Sequence, residues 1–193
     1  MDNFQIRTDL ALEARESVNE EESKLRGVSV EEHYEEEADL RITKVTIDTK
    51  NAEKMLGKPM GVYVTMEAPA MVEPDDDYHR EISEALAEEL LKMMPQEQEE
   101  QSVLVVGLGN DAMTPDAVGA AALEHLLVTR HMVRSMPRQF GALTPVAALA
   151  TGVLARTGVE TLELIRGAAD RLHPSVVIAI DALAARSRHR LCA

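Results

Sequence analysis

The chain has 193 residues, a formal net charge of −14 and a hydrophobic share of 45%, with few aromatic residues. This length suits one α/β domain, with or without a tail. The negative charge argues against direct binding to nucleic acid, which needs a surplus of Lys and Arg. The single cysteine, Cys192, excludes a disulfide within the chain and favours an intracellular, reducing compartment. The sequence contains no apolar run long enough to cross a membrane, and its N-terminus lacks the pattern of a secretory signal.

The first hundred residues combine an acidic stretch with patterns typical of strands and of one helix. Residues 1–40 are rich in Glu and predict a solvated segment that is helical or partly disordered. Apolar alternation predicts strands over 41–48 and 61–67, on either side of a turn at Gly57. An apolar stripe predicts a helix from about 75 to 94.

The pattern after residue 101 is typical of a parallel sheet. Short runs rich in Val and Ile predict buried strands, and helical patterns lie between them. The predicted elements are strands at 102–106, 146–150 and 176–180 and helices at 114–132 and 158–172. Strands that alternate with helices indicate an α/β fold with right-handed crossovers.

Two aspartates follow predicted strands, at the edge where open parallel sheets bind their ligands. Asp116 comes after a glycine-containing turn and lies in the first turn of a predicted helix with Thr114 as its N-cap, where the helix dipole favours an ionised carboxylate. Asp181 directly follows the strand at 176–180, where burial would disfavour its charge. In such a pair one carboxyl group can act as a base toward water while the other donates a proton, which suits amide hydrolysis. The residue types alone leave open whether either aspartate is only structural.

Other kinds of site have weaker support in the sequence. Gly107 and Gly109 match the start of a dinucleotide fingerprint, but Ala112 stands where the third glycine belongs. The six histidines show no H-E-x-x-H spacing, and neither C-x-x-C nor G-x-S-x-G occurs. Asp111, in the same turn as the glycines, is expected to be solvated.

Four segments resemble, in order and spacing, the germination proteases of spore-forming Gram-positive bacteria, peptidase family A25. They are GLGNDAMTPDAVG (107–119), EHLLVTRHM (124–132), TGVLARTGVETLELIRG (151–167) and VVIAIDALAARS (176–187). The segment IRTDLALEARE (6–16) is also similar to the start of that family. The resemblance covers essentially the whole chain, although residues 20–100 match only loosely.

The resemblance implies a hydrolase, an endopeptidase made as an inactive zymogen, which starts the degradation of small acid-soluble spore proteins during germination. By motif, the family's two essential aspartates fall on Asp116 and Asp181, and Gly107, Gly109 and Asn110 form the supporting turn. The implied catalysis is an atypical, aspartate-dependent one that was formerly classed with the metallopeptidases. No cofactor is expected, and the participation of a metal stays open.

The resemblance also implies self-processing near the N-terminus. The family's substrates are cut after an acidic residue that precedes a large apolar residue and Ala. The sequence Thr8-Asp9-Leu10-Ala11 has this form, so we expect cleavage between Asp9 and Leu10.

The expected fold is a three-layer α/β/α arrangement with a mainly parallel sheet, similar to the hydrogenase maturation proteases, in which the corresponding acidic positions contact nickel. We expect a propeptide at 1–9, an acidic segment with strands and a helix at 10–100, and a catalytic core at 101–193 that is incomplete because family members continue beyond this end. The expected partners are small acid-soluble spore proteins and further copies of the chain in a homotetramer, in the cytoplasm of the forespore or spore core. Two alternatives stay open: a nickel-dependent maturation-type protease, and an inactive fragment that acts as a binding or oligomerisation module.

Overall fold

The computed structural model describes residues 10–16, 26–95 and 101–184. The described residues divide into two compact units: one contains residues 10–16, 26–93 and 183–184, and the other contains residues 94–95 and 101–182. The predicted α/β class is confirmed, with antiparallel and parallel strands in separate sheets. The predicted domain boundaries after residues 9 and 100 stay predictions.

The first unit is built on a three-stranded antiparallel sheet of order β1-β2-β3. Its strands are β1 (Val28–Glu35), β2 (Leu40–Ile47) and β3 (Gly61–Glu67), and its helices are α1 (Ala11–Glu16), α2 (Lys50–Leu56) and α3 (Asp76–Met93). The predictions of β2, β3 and α3 are confirmed to within one or two residues. The predicted turn at Gly57 is the C-cap of α2, in the left-handed conformation.

Strand β1 corrects the expectation of a helical or disordered segment for residues 28–35, whereas α1, within the same predicted segment, is helical. Val28 and Val30 pack against a cluster of buried residues, whereas the residues from Glu31 to Glu35 are exposed. These two inward apolar side chains anchor the strand, and the ladder with β2 supplies hydrogen bonds along one side of its backbone. The charged residues lie on an edge strand, where charge discourages pairing with other chains, and they hide the strand pattern in the sequence.

Two small hydrophobic clusters hold the first unit together. One contains Ala38, Leu40, Ala68 and Ile82, and so joins β2 to α3. The other contains Val45, Ile47, Ala52 and Leu56, and so joins β2 to α2. Since β2 supplies apolar residues to both clusters, it is the central element of this unit.

The second unit is a three-stranded parallel sheet of order β5-β4-β6. Its strands are β4 (Val103–Leu108), β5 (Val146–Gly152) and β6 (Val176–Ile180), and its helices are α4 (Val118–Glu124), α5 (Arg130–Ser135), α6 (Pro137–Phe140), α7 (Leu154–Thr157) and α8 (Thr161–Leu172). All residues from Val103 to Gly107 are buried, so both faces of the central strand are covered. Helix α4 packs against all three strands and α8 against β4 and β5.

The single helix predicted over 114–132 is wrong. The chain forms a 3₁₀ turn at Thr114–Asp116, then α4, and then α5 after a break. The break arises at Thr129, whose hydroxyl donates to the carbonyl of Thr144 (2.5 Å) and accepts from the N–H of Val146 (2.9 Å). These bonds tie the segment after α4 to the start of β5, and a continuous helix could not make them.

Strand β6 has the predicted bounds, but it is not a buried strand. It lies at the edge of the described sheet, with Val177 and Ala179 exposed and the alternate residues partly covered. Apolar composition alone does not distinguish an edge strand from a central one. Among the described residues, no helix combines the length and apolar content that a membrane crossing requires.

Candidate functional site

The turn after β4 is closed by its own backbone. Gly109 has φ +91°, a conformation that residues with a side chain rarely adopt. The N–H of Asn110 donates to the carbonyl of Asp116 (2.9 Å), and the N–H of Met113 donates to the carbonyl of Asn110 (3.0 Å). The side chain of Asn110 also accepts from the N–H of Ala112 (3.1 Å). The turn therefore holds Asp116 directly beside the end of β4.

Asp116 is half-buried and lies in the 3₁₀ turn that precedes α4. A Cβ atom on Gly109 would lie 2.9 Å from its Oδ1 and nearer still to its carbonyl oxygen. The close contact shows that the carboxyl group is packed over the glycine turn. Thr114 does not cap a helix here, since no side chain caps the 3₁₀ turn. The expectation that Asp116 lies in the first turn of a long helix is wrong, so the helix-dipole argument for its charge loses its basis.

Asp181 follows β6 at the same end of the sheet. In the parallel pairing, Ile180 stands opposite Gly107 of β4, so Asp181 comes level with the last residues of that strand. The side chain is exposed, and its Oδ1 accepts from the N–H of Ala182 (2.8 Å). The expectation that Asp181 is partly buried is therefore wrong, because β6 lies at the edge of the described sheet.

Gly119 connects the surroundings of the two aspartates. A Cβ atom on this buried residue would lie 2.6 Å from the backbone nitrogen of Leu108 and closer still to the carbonyl oxygen of Ile180. A Cβ atom on Gly107 would likewise lie 2.7 Å from the carbonyl carbon of Gly119. Helix α4 thus begins against the ends of both β4 and β6. The structure brings Asp116 and Asp181 to one edge of one sheet, since Asp116 is hydrogen-bonded to the turn after β4 and Asp181 directly follows β6.

Sequence reasoning missed Gly119, although a signal was available. The run Val118-Gly119-Ala120-Ala121-Ala122 is made of small residues, which is typical of a helix that packs closely on a strand. In the dinucleotide fingerprint the third glycine lets the helix pack closely on the strand. In this chain Gly119 allows that close packing, seven positions after Ala112, where the fingerprint would place the glycine.

Asp111 is exposed, as expected, but it is also paired. It accepts a hydrogen bond from Nη1 of Arg156, which also approaches Oδ1 of Asn110 (3.4 Å). Arg156 belongs to α7, which follows β5, so this ion pair links the loops after two neighbouring strands. No motif in the sequence singled out Arg156, because its partner lies 45 residues away.

The described part of the chain contains no cluster of residues that could bind a metal ion. Across residues 10–16, 26–95 and 101–184, no three His, Cys, Asp or Glu side chains are grouped so as to hold a metal ion. His125 and His131, predicted on one helix, lie at the C-cap of α4 and in α5. Cys192 and the residue Asp9 of the predicted cleavage site lie outside the described residues, whereas Leu10 is half-buried just before α1.

Comparison with known proteins decides the family, because the sequence profile of the germination proteases matches residues 6–193. The chain belongs to the germination protease family. The chain is 46% identical over 187 residues to the germination protease of Caldanaerobacter subterraneus subsp. tengcongensis, covering 96% of this chain and 56% of that protein. It is 40% identical over 193 residues to the germination protease of Clostridium perfringens, covering 97% of this chain and 58% of that protein.

A third germination protease, from Bacillus cytotoxicus, is 39% identical over 197 residues, covering 99% of this chain and 53% of that protein. The chain therefore spans little more than half the length of these curated relatives. The family resemblance of the sequence motifs is confirmed, and the two alternatives left open, a nickel-dependent maturation protease and a binding module, are not favoured. The second unit of this germination protease homologue contains both Asp116 and Asp181, and Asp181 directly follows β6.

Proposed function

We propose that this chain carries the two catalytic aspartates of an endopeptidase that begins the degradation of small acid-soluble spore proteins when spores germinate. The observation that carries the proposal is the contact of Gly119 with the end of β6, which keeps Asp116 and Asp181 at one edge of the sheet. Ligands of open α/β sheets bind at this edge. Membership of the germination protease family supports the protease activity itself.

The proposed chemistry is aspartate-dependent hydrolysis of a peptide bond by water. One carboxylate takes a proton from a water molecule, whose oxygen attacks the carbonyl carbon of the substrate. The other carboxyl group donates a proton to the amide nitrogen as the carbon–nitrogen bond breaks. Asp116 is half-buried and Asp181 is exposed, so the two groups have different surroundings, as a division between acid and base requires.

Self-processing of a zymogen completes the proposal. The same cleavage preference, after an acidic residue and before a large apolar residue and Ala, selects the bond between Asp9 and Leu10. Ala11 and Leu12 are buried in the first unit, so removal of residues 1–9 would leave α1 anchored there. N-terminal sequencing of the mature chain should begin at Leu10, and any other first residue contradicts the assigned bond.

The finer architecture and setting are part of the same proposal. Burial of β4 on both faces supports a three-layer arrangement similar to that of the hydrogenase maturation proteases. We place the protein in the forespore or spore core, as a homotetramer, in keeping with the resemblance of its motifs to that family.

The deciding experiment incubates the purified chain with a small acid-soluble spore protein at mildly acidic pH. We expect Asp116→Asn and Asp181→Asn each to slow cleavage by about 10²- to 10⁴-fold, the usual contribution of a general acid or base. Asp170→Asn is the matched control, because Asp170 is an exposed carboxylate on α8 in the same unit. Full cleavage by both aspartate variants, or no cleavage by the unmodified chain, contradicts the proposal.

A further inference from the structure

An open groove of about 340 Å³ lies beside the proposed catalytic edge, on the β5 side of β4. Its lining includes Gly109, Asp111, Ala120, Thr151, Gly152 and Arg156. Most of these residues are small, and two glycines with positive φ, Gly109 and Gly152, form its backbone walls. The groove can therefore admit a side chain from a bound peptide.

Among the described residues that line this groove, only Asp111 and Arg156 carry a charge. The two threonine hydroxyls of the lining are used within the protein. Thr151 lies within donor distance of the carbonyl oxygens of Gly107 (3.4 Å) and Gly152 (3.1 Å), and Thr157 accepts from the N–H of Val159 (3.2 Å). The side chains of Asp111 and Arg156 are therefore the groups that can recognise a charged ligand in this groove.

The Asp111–Arg156 pair is suited to exchange partners. Its side chains are 64% and 56% exposed, and exposed ion pairs contribute only about 0–1 kcal/mol to stability. Both contacts of Arg156 with the β4 turn use Nη1, whereas a guanidinium has five N–H donors arranged to bind a carboxylate through two parallel bonds. An incoming carboxylate could therefore form two parallel hydrogen bonds with the guanidinium of Arg156, whereas Asp111 accepts from Nη1 alone.

We propose that Arg156 binds the acidic side chain of the peptide substrate in this groove, and that Asp111 occupies the guanidinium until the substrate arrives. This inference rests on the proposed function. It makes Arg156 a specificity-determining residue and Asp111 a competitor of the substrate. The two residues should thus have opposite effects on binding, although each variant breaks the same ion pair.

The probe is a blocked hexapeptide with the sequence of residues 7–12, Arg-Thr-Asp-Leu-Ala-Leu, whose only carboxylate is that of Asp9. Its counterpart carries Asp9→Asn and has the same size without the charge. Binding of both peptides is measured by NMR titration of the full chain carrying Asp181→Asn, because the proposed function predicts that this chain cuts the Asp–Leu bond too slowly to consume the probe. The amide signals of Gly109 and Gly152 and the Nε–H signal of Arg156 are the reporters.

We expect the acidic peptide to bind about tenfold more tightly than its amide counterpart, the typical effect of a charge-assisted hydrogen bond. Arg156→Gln should remove this discrimination, whereas Asp111→Asn should strengthen binding of the acidic peptide several-fold. Arg166→Gln, which removes the same charge from an exposed position on α8, should leave both affinities unchanged. Equal unfolding midpoints of Arg156→Gln and Asp111→Asn would show that their opposite effects on peptide binding do not arise from a difference in stability.

Equal binding of the two peptides, no binding of either, or discrimination that survives Arg156→Gln overturns the inference. These outcomes are distinct from failure of the proposed function. A chain that cleaves spore protein but binds both peptides equally refutes the role of Arg156 alone. Discrimination through Arg156 without any hydrolysis refutes the protease and leaves the binding groove standing.

Discussion

The carbonyl oxygen of Ile180 lies against Gly119, where no side chain could fit. This contact joins the start of α4 to the end of β6, and each partner is within three residues of a proposed catalytic aspartate. The spacing of Asp116 and Asp181 thus depends on Gly119, which has no side chain that could take part in the reaction.

Gly119→Ala tests the dependence directly. The new methyl group would collide with backbone atoms of Leu108 and Ile180, so we expect the free energy of unfolding to fall by about 2 kcal/mol or more. Gly167→Ala is the matched control, since Gly167 lies in α8 with no atom near the added methyl group. There the change should stabilise the protein by about 0.5–1 kcal/mol. Urea denaturation measures both, and equal effects would contradict the packing role of Gly119.

Gly109→Ala separates backbone strain from a steric clash. Gly109 and Gly57 both have positive φ, so alanine at either position costs about 1–2 kcal/mol of strain. Only at Gly109 would the methyl group also press on Asp116, because the surroundings of Gly57 are open. We expect Gly109→Ala to lower the unfolding free energy more than Gly57→Ala and to reduce hydrolysis as well. A larger loss from Gly57→Ala would refute the close contact of the turn with Asp116.

Thr129→Val tests the tie between the end of α4 and the start of β5. Valine keeps the size of the side chain but leaves the N–H of Val146 and the carbonyl of Thr144 without this partner. Because Thr129 is buried, we expect a loss of about 1–3 kcal/mol in unfolding free energy. Thr114→Val, at an exposed position of the same unit, should change stability by less than about 0.5 kcal/mol.

Tyr78→Phe should not weaken the protein. Among the described residues, the buried hydroxyl oxygen of Tyr78 has no hydrogen-bond partner, so removing it relieves an unsatisfied polar group. The hydroxyl of Tyr63 donates to the carbonyl of Pro59 (2.7 Å), and Tyr63→Phe should cost about 0.5–1 kcal/mol. Chemical denaturation of the two variants should therefore give effects of opposite sign, and a destabilising Tyr78→Phe would contradict the assignment.

Alkaline pH should weaken the folded state. Burial raises the pKa of Tyr63 and of Tyr78 above the ordinary value, which is about 10. Above about pH 10 the unfolded chain therefore loses protons that the folded chain keeps, and the free energy of unfolding falls as pH rises. Denaturant midpoints measured from pH 9 to 11 should show this fall, and the fall should be smaller in Tyr78→Phe.

Much of the candidate site was predictable because its signals are local. An apolar run followed by Gly-x-Gly predicts β4 and its turn, and Asp181 follows a run of β-branched and apolar residues that predicts β6. Local pattern could not show that β6 lies at the edge of the described sheet, since strand order depends on pairings between distant segments. The error about the burial of Asp181 followed from that limit.

Strand β1 and the break after α4 show the same limit elsewhere. In β1 only Val28 and Val30 point inward, so composition favoured a solvated segment. After α4, Thr129 ends a helical pattern by bonding to residues 15 and 17 positions away. In both places a tertiary contact outweighs local preference.

The amino-acid sequence by itself determined the α/β class, the family and the two candidate aspartates, because periodicity, turn glycines and long motifs are properties of neighbouring residues. Only the tertiary structure decided which strand is central, which glycine joins α4 to the sheet, and that Arg156 meets Asp111. These relationships arise from backbone and side-chain contacts between segments up to 73 residues apart, as between Ser102 and Ser175. No local pattern encodes such contacts, since they form only when the sheet assembles.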